Sequence, residues 1–159
     1  MDKELGTLVK GLFSEECVER QNAGQKLVKI GREVIPFLIG LQYSNNRLIS
    51  WEAIKTLSEI AHPDAIPIFI NGLENDDPNI RWMAAEGLIK IDQPSVKPVL
   101  RALEMRGGSK SLRETVYHVL RSLRGKSIFI DDYDLIGMLK NLSRQTLVAP
   151  TAAIIHLKT

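Results

Sequence analysis

The chain has 159 residues, of which 44% are apolar and 25% are charged. This length and balance indicate one globular domain with a hydrophobic core and exclude a disordered chain. The net charge of +2 does not by itself indicate a charged partner. The single cysteine, Cys17, excludes an internal disulfide and a cysteine-based zinc site, and it favours a reducing compartment.

Two further features bear on where the protein acts. The first ten residues, MDKELGTLVK, contain acidic residues and no long apolar run, so they do not form a secretory signal. No uncharged apolar stretch approaches the roughly 18–20 residues that cross a bilayer. We therefore expect a cytoplasmic location and no contact with a membrane.

Apolar residues recur at spacings of three and four along most of the chain, which is the pattern of one face of an α-helix. Helix-start signals support these segments, as in Asp77-Pro78, which fits an N-cap and a first helical position. After a lone first helix, the segments form consecutive pairs. In chain order the predicted helices are 2–13, then 15–31 with 33–43, 46–61 with 63–75, 78–91 with 94–106, and 110–124 with 131–144.

The pairs repeat in sequence at intervals of 30 to 32 residues. The first helix of each pair carries an alanine, a leucine four residues later and an isoleucine three residues after that. The three copies are Ala23, Leu27, Ile30; Ala53, Leu57, Ile60; and Ala84, Leu88, Ile91, and a weaker fourth copy is Val116, Leu120, Leu123. The second helices share a proline at the same interval: Pro36, Pro67 and Pro98.

One such unit cannot bury its apolar face alone, so neighbouring units stack around a continuous core. We therefore predict an all-α solenoid of about four helix pairs, with the helix at 2–13 as an N-terminal cap. We expect the leucines and the isoleucines of the repeat to be buried together.

The predicted domain boundary lies at residue 144, with a repeat domain over 1–144 and a C-terminal tail over 145–159. The tail combines Pro150 with the apolar run 152–155. Because an open solenoid end must hide its last apolar face, we expect the tail to fold back as a cap. A mobile tail, or one that docks onto another subunit, is the alternative.

The stretch AIPIFINGLENDDPNIRWMAAEGLIKID, at 65–92, resembles the HEAT-like repeats that are named after phycobilisome lyases. The residues that carry the resemblance are Ile66-Pro67, Phe69, Ile70, Leu73, Asp76, Ile80-Arg81-Trp82, Ala84-Ala85-Glu86 and Leu88. The resemblance covers about 14–124 and implies a right-handed α–α superhelix. It also implies that the turn acid Asp76 pairs with Arg81 between neighbouring units. Arg20 and Arg113 occupy the same arginine position, whereas the second unit has Ser50.

No group of residues indicates catalysis or metal binding. HEAT-type hydroxylases bind iron through adjacent His-Glu pairs, and none of the three histidines, His62, His118 and His156, is followed by glutamate. Cys17 has no neighbouring base that would activate it. The segment RGGSKS, at 106–111, lacks the spacing of a phosphate-binding loop. We therefore expect no enzymatic activity, no metal and no cofactor.

Two tryptophans, Trp51 and Trp82, occupy equivalent positions, each two residues before the alanine of the repeat. Some HEAT-like DNA glycosylases hold a damaged base between tryptophans and a carboxylate, and Glu52 and Glu86 lie close in sequence. Tryptophan at this position is, however, common in lyase-type HEAT repeats, where it packs between units. We expect the packing role.

Positive charge is concentrated in 97–126, which contains eight Lys or Arg residues and only two acidic ones. The predicted basic patch comprises Lys97, Arg101, Arg106, Lys110, Arg113, Arg121 and Arg124, with Lys126 beyond it. Clustered cations can track the phosphates of a nucleic acid. Tyr117 is the only aromatic residue in the segment for base stacking, and a solvated helix face is the commoner explanation.

The second helices of such a stack line a concave surface, on which repeat proteins bind partners. Phe37, Ile68 and Val99 each follow a repeat proline and precede a residue that fits the core, so they should lean away from it. We predict that they form an exposed apolar line, with Asn71 beside it and Arg101 at its basic end. Close packing of the second helices would instead cover all three.

These observations favour a non-enzymatic scaffold that binds another protein through its concave face. One alternative is binding of a nucleic acid or an anionic ligand through the basic segment, which would depend steeply on salt. The other, which the resemblance to lyase-type repeats implies, is binding of a tetrapyrrole or its carrier.

Overall fold

A computed structural model describes residues 3–106 and 109–124, and over these residues the chain forms eight α-helices, two short 3₁₀ helices and no β-strand. The α-helices are α1 Lys3–Gly11, α2 Cys17–Ile30, α3 Ile35–Gln42, α4 Arg47–Ile60, α5 Ile66–Gly72, α6 Pro78–Ile91, α7 Gln93–Arg106 and α8 Lys110–Arg124. The 3₁₀ helices, Gly31–Val34 and Pro63–Ala65, lead directly into α3 and α5. The predicted all-helical repeat fold is confirmed.

Several expectations lie outside the described residues. They are the helix at 131–144, the domain boundary at 144 and the folded-back tail at 145–159. The side chain of Arg124 and the whole of Lys126 and His156 also lie outside them.

The helices form two layers, as the stacking of amphipathic helices requires. Helices α2, α4, α6 and α8 make the first layer and pack on one another in chain order. Helices α1, α3, α5 and α7 make the second layer, and each packs most extensively on the first-layer helix that follows it in the chain. In this arrangement α1 covers α2, as the N-terminal capping helix was expected to do.

Burial of the repeat residues confirms the predicted alignment of the repeats, but not every repeat residue is buried. The three repeat leucines are fully buried: Leu27, Leu57 and Leu88. Of the isoleucines, Ile91 is buried and Ile60 is partly buried, whereas Ile30 is 38% exposed. The expectation for Ile30 was therefore wrong. Because α2 is the end member of the first layer, with α4 as its only first-layer neighbour among the described helices, its last turn is left open.

The repeat prolines do not all sit at helix starts. Pro36 and Pro67 are the second residues of α3 and α5, where the missing N–H costs little. Pro98 lies inside α7, because the segment that forms a 3₁₀ helix in the earlier units here continues the α-helix. The predicted start of α6 is confirmed, since Asp77 is its N-cap and accepts a hydrogen bond from the backbone N–H of Asn79.

Ion pairs join successive units at the interval of the repeat. Arg20 reaches Glu52 at 3.4 Å, and Arg32 reaches Asp64 at 2.8 Å, in both cases across 32 residues of sequence. The Glu52 side chain is only 9% exposed, so its pairing with Arg20 offsets part of the cost of burying the charge. These pairs fix the register of one unit on the next.

Two glycines allow the second layer to approach the first closely. A Cβ atom at Gly11 would lie 2.8 Å from the Cβ atom of Ala23, and one at Gly72 would lie 2.8 Å from the Cβ atom of Ala84. Both distances are too short for real Cβ atoms. The equivalent position of α3, at the same repeat interval, is Leu41. The turn between α3 and α4 therefore lacks the close glycine–alanine contact of its neighbours.

Candidate interaction surface

The turns that lead into α2 and α6 are each closed by one arginine side chain. Arg81 Nη1 donates hydrogen bonds to the carbonyl oxygens of Asn75 and Asp76, at 2.6 and 3.0 Å. Arg20 makes the equivalent bonds, to the carbonyl oxygens six and five residues before it, at 2.7 and 2.8 Å. The pairing of Arg81 with the Asp76 carboxylate between units was therefore a wrong expectation. The guanidinium binds main-chain carbonyls of its own turn, which lie just past a helix end and lack helical partners.

Ser50 takes the place of this arginine at the turn between α3 and α4. Its Oγ donates one hydrogen bond, to the carbonyl oxygen of Ser44 at 2.8 Å, so the equivalent carbonyl is still satisfied. The serine side chain is much smaller than arginine and leaves the rest of that space unfilled. The sequence indicated a less tightly specified junction here, and the structure shows an open one.

A hollow of about 630 Å³ lies beside Ser50, between the α3–α4 turn (43–46) and the α5–α6 turn (73–77). It is lined by Gln42, Tyr43, Ser44, Arg47, Ser50, Asn71, Asn75, Asp76, Asp77, Pro78 and Ile80. A second hollow, of about 470 Å³, is lined by Arg47, Leu48, Trp51, Asp77 and Asn79. We call these two hollows together the corner site.

An ion pair separates the two hollows, because Arg47 and Asp77 line both of them. Arg47 Nε lies 2.7 Å from Asp77 Oδ2. The hydrogen bond from the backbone N–H of Asn79 and the nearby Arg47 guanidinium lower the pKa of the Asp77 carboxyl below its ordinary value. Asp77 is therefore ionised at neutral pH, where it both caps α6 and holds Arg47 in place.

Exposed apolar side chains flank this ion pair. Tyr43 is 66% exposed at the rim of the first hollow, and Leu48 is 38% exposed at the second. Trp82, also on α6, is 53% exposed but lines neither hollow. Exposed apolar groups gathered around a hollow usually mark an interaction site, whereas isolated ones do not.

Trp82 also links two first-layer helices. Its ring stacks on that of His118 in α8, with centroids 4.8 Å apart and planes inclined by 27°. His118 Nε2 lies 3.4 Å from Glu86 Oε1. The tryptophan therefore packs between units, as expected, but half of it remains in contact with solvent. Within the described ranges, no cluster of three or more His, Cys, Asp or Glu side chains is arranged to hold a metal ion.

The apolar line predicted for the second layer does not form. Phe37 is 37% exposed, but Ile68 is 2% exposed and Val99 is fully buried. Helices α5 and α7 pack directly on each other, and both buried side chains belong to the common core. Adjacent helical residues point only about 100° apart, so both can fall within one wide buried face. Asn71 and Arg101 are exposed, as expected.

Some cations of the predicted basic patch are exposed, and others form ion pairs. Lys97, Arg101 and Arg121 are exposed, and Arg113 is half-buried. Arg106 Nη1 lies 3.4 Å from Glu74 Oε2 and 3.3 Å from Asn71 Oδ1, and Lys110 lies 3.8 Å from Glu114. Ion pairs thus offset two of the cations that would otherwise face phosphates, which weakens the case for a nucleic-acid site.

Sequence reasoning found Asn71 of the corner site and missed the rest. Two signals were present. Ser50 interrupts the arginine pattern, and Tyr43 stands exposed in the otherwise polar turn YSNN. What the pattern could not supply was the hollow itself, because the space depends on how two turns of successive units face each other.

A sequence profile described as HEAT repeats matches residues 35–121. The chain belongs to the HEAT-repeat family. Among curated proteins, none matches the sequence significantly. Among solved structures, a chain in the complex of CpcE and CpcF of phycocyanin lyase from Nostoc sp. PCC7120 is similar, with a TM-score of 0.63 and 21% identity over 95% of each chain. At 21% identity, this similarity shows a shared fold and no more.

None of the described helices combines the length and the apolar character needed to span a membrane.

Proposed function

We propose that this HEAT-repeat protein is a non-enzymatic scaffold that binds another protein at the corner site. The observation that carries the proposal is the grouping of exposed Tyr43 and Leu48 around two hollows that share one ion pair. Aromatic side chains beside pockets are frequent anchors of protein interfaces. The helices behind them are held by a continuous core, so the surface is pre-organised for binding.

The chemistry of the corner site favours binding over catalysis. The side chains that line its two hollows include no histidine, cysteine or lysine. The charges of Arg47 and Asp77 neutralise each other in an ion pair. The hydroxyl groups of Ser44 and Ser50 form hydrogen bonds with the backbone of their own turn, which does not activate them as nucleophiles. That the protein acts in the cytoplasm stays a prediction.

The similar solved chain supports a protein partner by analogy. It is part of a complex of two proteins, CpcE and CpcF. A helical stack of this fold therefore provides surface enough for a stable interface, and we propose that the present chain uses its corner site in the same general way.

Capture from an extract of the source cell, followed by mass spectrometry, tests the proposal. The double variant Tyr43→Ser plus Leu48→Ser should lose the partner and keep its melting temperature, since both side chains are exposed. The matched control is Met105→Ser, which removes an apolar side chain that is 81% exposed elsewhere on the surface. Retention of the partner by the corner variant, or its loss by the control alone, would contradict the corner as the binding surface.

A second candidate function rests on the likeness to a chain of the phycocyanin lyase complex, which covers nearly the whole of both chains. We propose as this alternative that the protein holds a tetrapyrrole or its carrier. The purified protein, mixed with a linear tetrapyrrole and freed of excess by gel filtration, should then absorb visible light. Absence of co-eluting absorbance would rule against direct binding of the pigment.

A further inference from the structure

The first hollow of the corner site presents hydrogen-bond donors that the protein itself does not use. Asn71, in the last turn of α5, and Asn75, in the α5–α6 turn, both line it. Asn75 Oδ1 accepts a hydrogen bond from the backbone N–H of Asp77 at 2.9 Å. Asn71 Oδ1 accepts one from Arg106 Nη1 at 3.3 Å.

These two bonds fix the orientation of both carboxamides. A backbone N–H and a guanidinium group can only donate, so the side-chain atom that faces each of them must be the oxygen. The NH₂ group of each asparagine is then left to other partners. No acceptor for either NH₂ group is found among the residues that the structure describes. Each NH₂ group carries two donors. Asn71 is exposed and Asn75 is half-buried, so these donors face solvent and are available to acceptors of a bound partner.

The charge around the hollow selects among possible acceptors. Arg47 is neutralised by Asp77, and Asp76 adds an exposed carboxylate to the lining. A phosphate or a carboxylate ligand would be repelled by Asp76 and would find no uncompensated cation in the lining. Neutral oxygen acceptors meet the donors without this cost, and the commonest neutral acceptor on a protein is the main-chain carbonyl.

The remaining lining suits the side chain of such a partner. Pro78 and Ile80 give part of the wall an apolar character, and the exposed ring of Tyr43 stands at the rim. A volume of about 630 Å³ lies within the range of ligand pockets and exceeds that of a single side chain. The hollow therefore has room for a few residues of extended chain.

We propose that this hollow binds an extended segment of the partner protein through its main-chain carbonyl oxygens, which accept hydrogen bonds from the side-chain NH₂ groups of Asn71 and Asn75. The inference rests on the proposed scaffold function and names the part of the partner that the scaffold holds.

Nuclear magnetic resonance on the full chain, labelled with ¹⁵N, provides the test. The probe is an uncharged capped peptide, acetyl-Leu-Ala-Leu-Ala-amide, with sodium acetate and sodium phosphate as parallel additions at equal ionic strength. The peptide should shift the side-chain NH₂ signals of Asn71 and Asn75 in a saturable way. A peptide methylated on its backbone nitrogens should do the same, because only its carbonyl oxygens are needed.

Two variants test whether peptide binding depends on the Asn71 side chain or changes with any exposed asparagine. Asn71→Leu should weaken binding of the peptide about three- to tenfold, as expected for the loss of one or two neutral hydrogen bonds. The control Asn22→Leu alters an exposed asparagine of α2 and should leave the affinity unchanged. If Asn71→Leu does not fold, Asn71→Asp keeps the acceptor for Arg106, removes the donors and adds a negative charge that repels carbonyl oxygens, so it should weaken binding at least as much.

The inference is overturned if the capped peptide shifts no signal around the hollow, or if acetate or phosphate shifts the asparagine signals more strongly. Equal effects of the Asn71 and Asn22 variants would overturn it as well. If the peptide fails while Tyr43→Ser plus Leu48→Ser still abolishes partner capture, the scaffold function stands and only the carbonyl-binding role of the hollow is lost.

Discussion

Two turns of the same repeat, α3–α4 and α5–α6, are built differently. At the α5–α6 turn, Gly72 lets the helices close on Ala84, and Arg81 ties down two carbonyl oxygens. At the α3–α4 turn, Leu41 stands at the glycine position and Ser50 at the arginine position. The α5–α6 turn is closed by its own side chains, and the α3–α4 turn leaves a hollow beside it.

The difference shows where a repeat protein can open space on its surface and still keep a side-chain hydrogen bond in the turn. Ser50 still donates a hydrogen bond to the carbonyl oxygen of Ser44, so the turn keeps one of the two hydrogen bonds that the arginine makes elsewhere. The turn also loses the volume of the arginine side chain. A departure from the repeat that keeps one of the two hydrogen bonds and opens space is what a local function would require.

The cores of the two units should be equivalent, and truncation of either should have the largest effect. Leu57→Ala in α4, which follows the open turn, and Leu88→Ala in α6, which follows the closed one, should each lower the free energy of unfolding by about 2–5 kcal/mol, because both side chains are fully buried. Denaturant unfolding measures both. A loss below about 1 kcal/mol for either variant would show that the two units differ in their cores as well as in their turns.

The close contact at the α5–α6 turn is tested by Gly72→Ala. The new Cβ atom would lie 2.8 Å from that of Ala84, so the helices must move apart, and we expect a loss of about 1–3 kcal/mol. The control is Gly40→Ala in α3, where a Cβ atom meets nothing within 4 Å. That variant should be neutral or slightly more stable, because alanine has the higher helix propensity. Similar losses for both would contradict a specific steric contact.

The hydrogen bonds of the closed turn are tested by Arg81→Ser, which copies the open turn. The serine should satisfy one carbonyl oxygen, as Ser50 does, so the loss should be modest, about 1–2 kcal/mol. Chemical unfolding gives the value. If the variant is as stable as the parent, the arginine does not contribute to closing the turn.

The smallest effect concerns the ion pair of the corner site. Because the pKa of Asp77 is lowered in the folded state, its charge stabilises the fold above a pH of about 4, and this contribution is lost on acidification below it. Asp77→Asn keeps a good N-cap but no charge, so its melting temperature should fall below that of the parent at pH 7 and approach it at pH 3. Asp76→Asn, whose carboxylate has no ion pair among the described residues, should show no such gap. A gap for Asp77→Asn that does not narrow with acid would contradict the electrostatic role.

The architecture was open to prediction from sequence because it depends on local periodicity. The spacing of Ala84, Leu88 and Ile91 is set by one helix, and stacking follows from the need to bury that face. The exposure of Ile68 and the pairing of Arg81 were predicted wrongly, because both depend on neighbours. Whether α7 covers α5, and whether a guanidinium finds a carboxylate or a carbonyl oxygen, is decided by packing that no single helix encodes.

One substitution tests most directly whether the open turn is the binding site. Ser50→Arg restores the residue of the repeat, and the introduced guanidinium should bind the carbonyl oxygens of the α3–α4 turn and fill the hollow. The control Gln21→Arg adds the same charge at an exposed position of α2. Calorimetry with the purified partner from the capture experiment should show at least about tenfold weaker binding for Ser50→Arg alone, with a melting temperature equal to or above that of the parent. Undiminished affinity in a folded Ser50→Arg protein would contradict the hollow as the binding site.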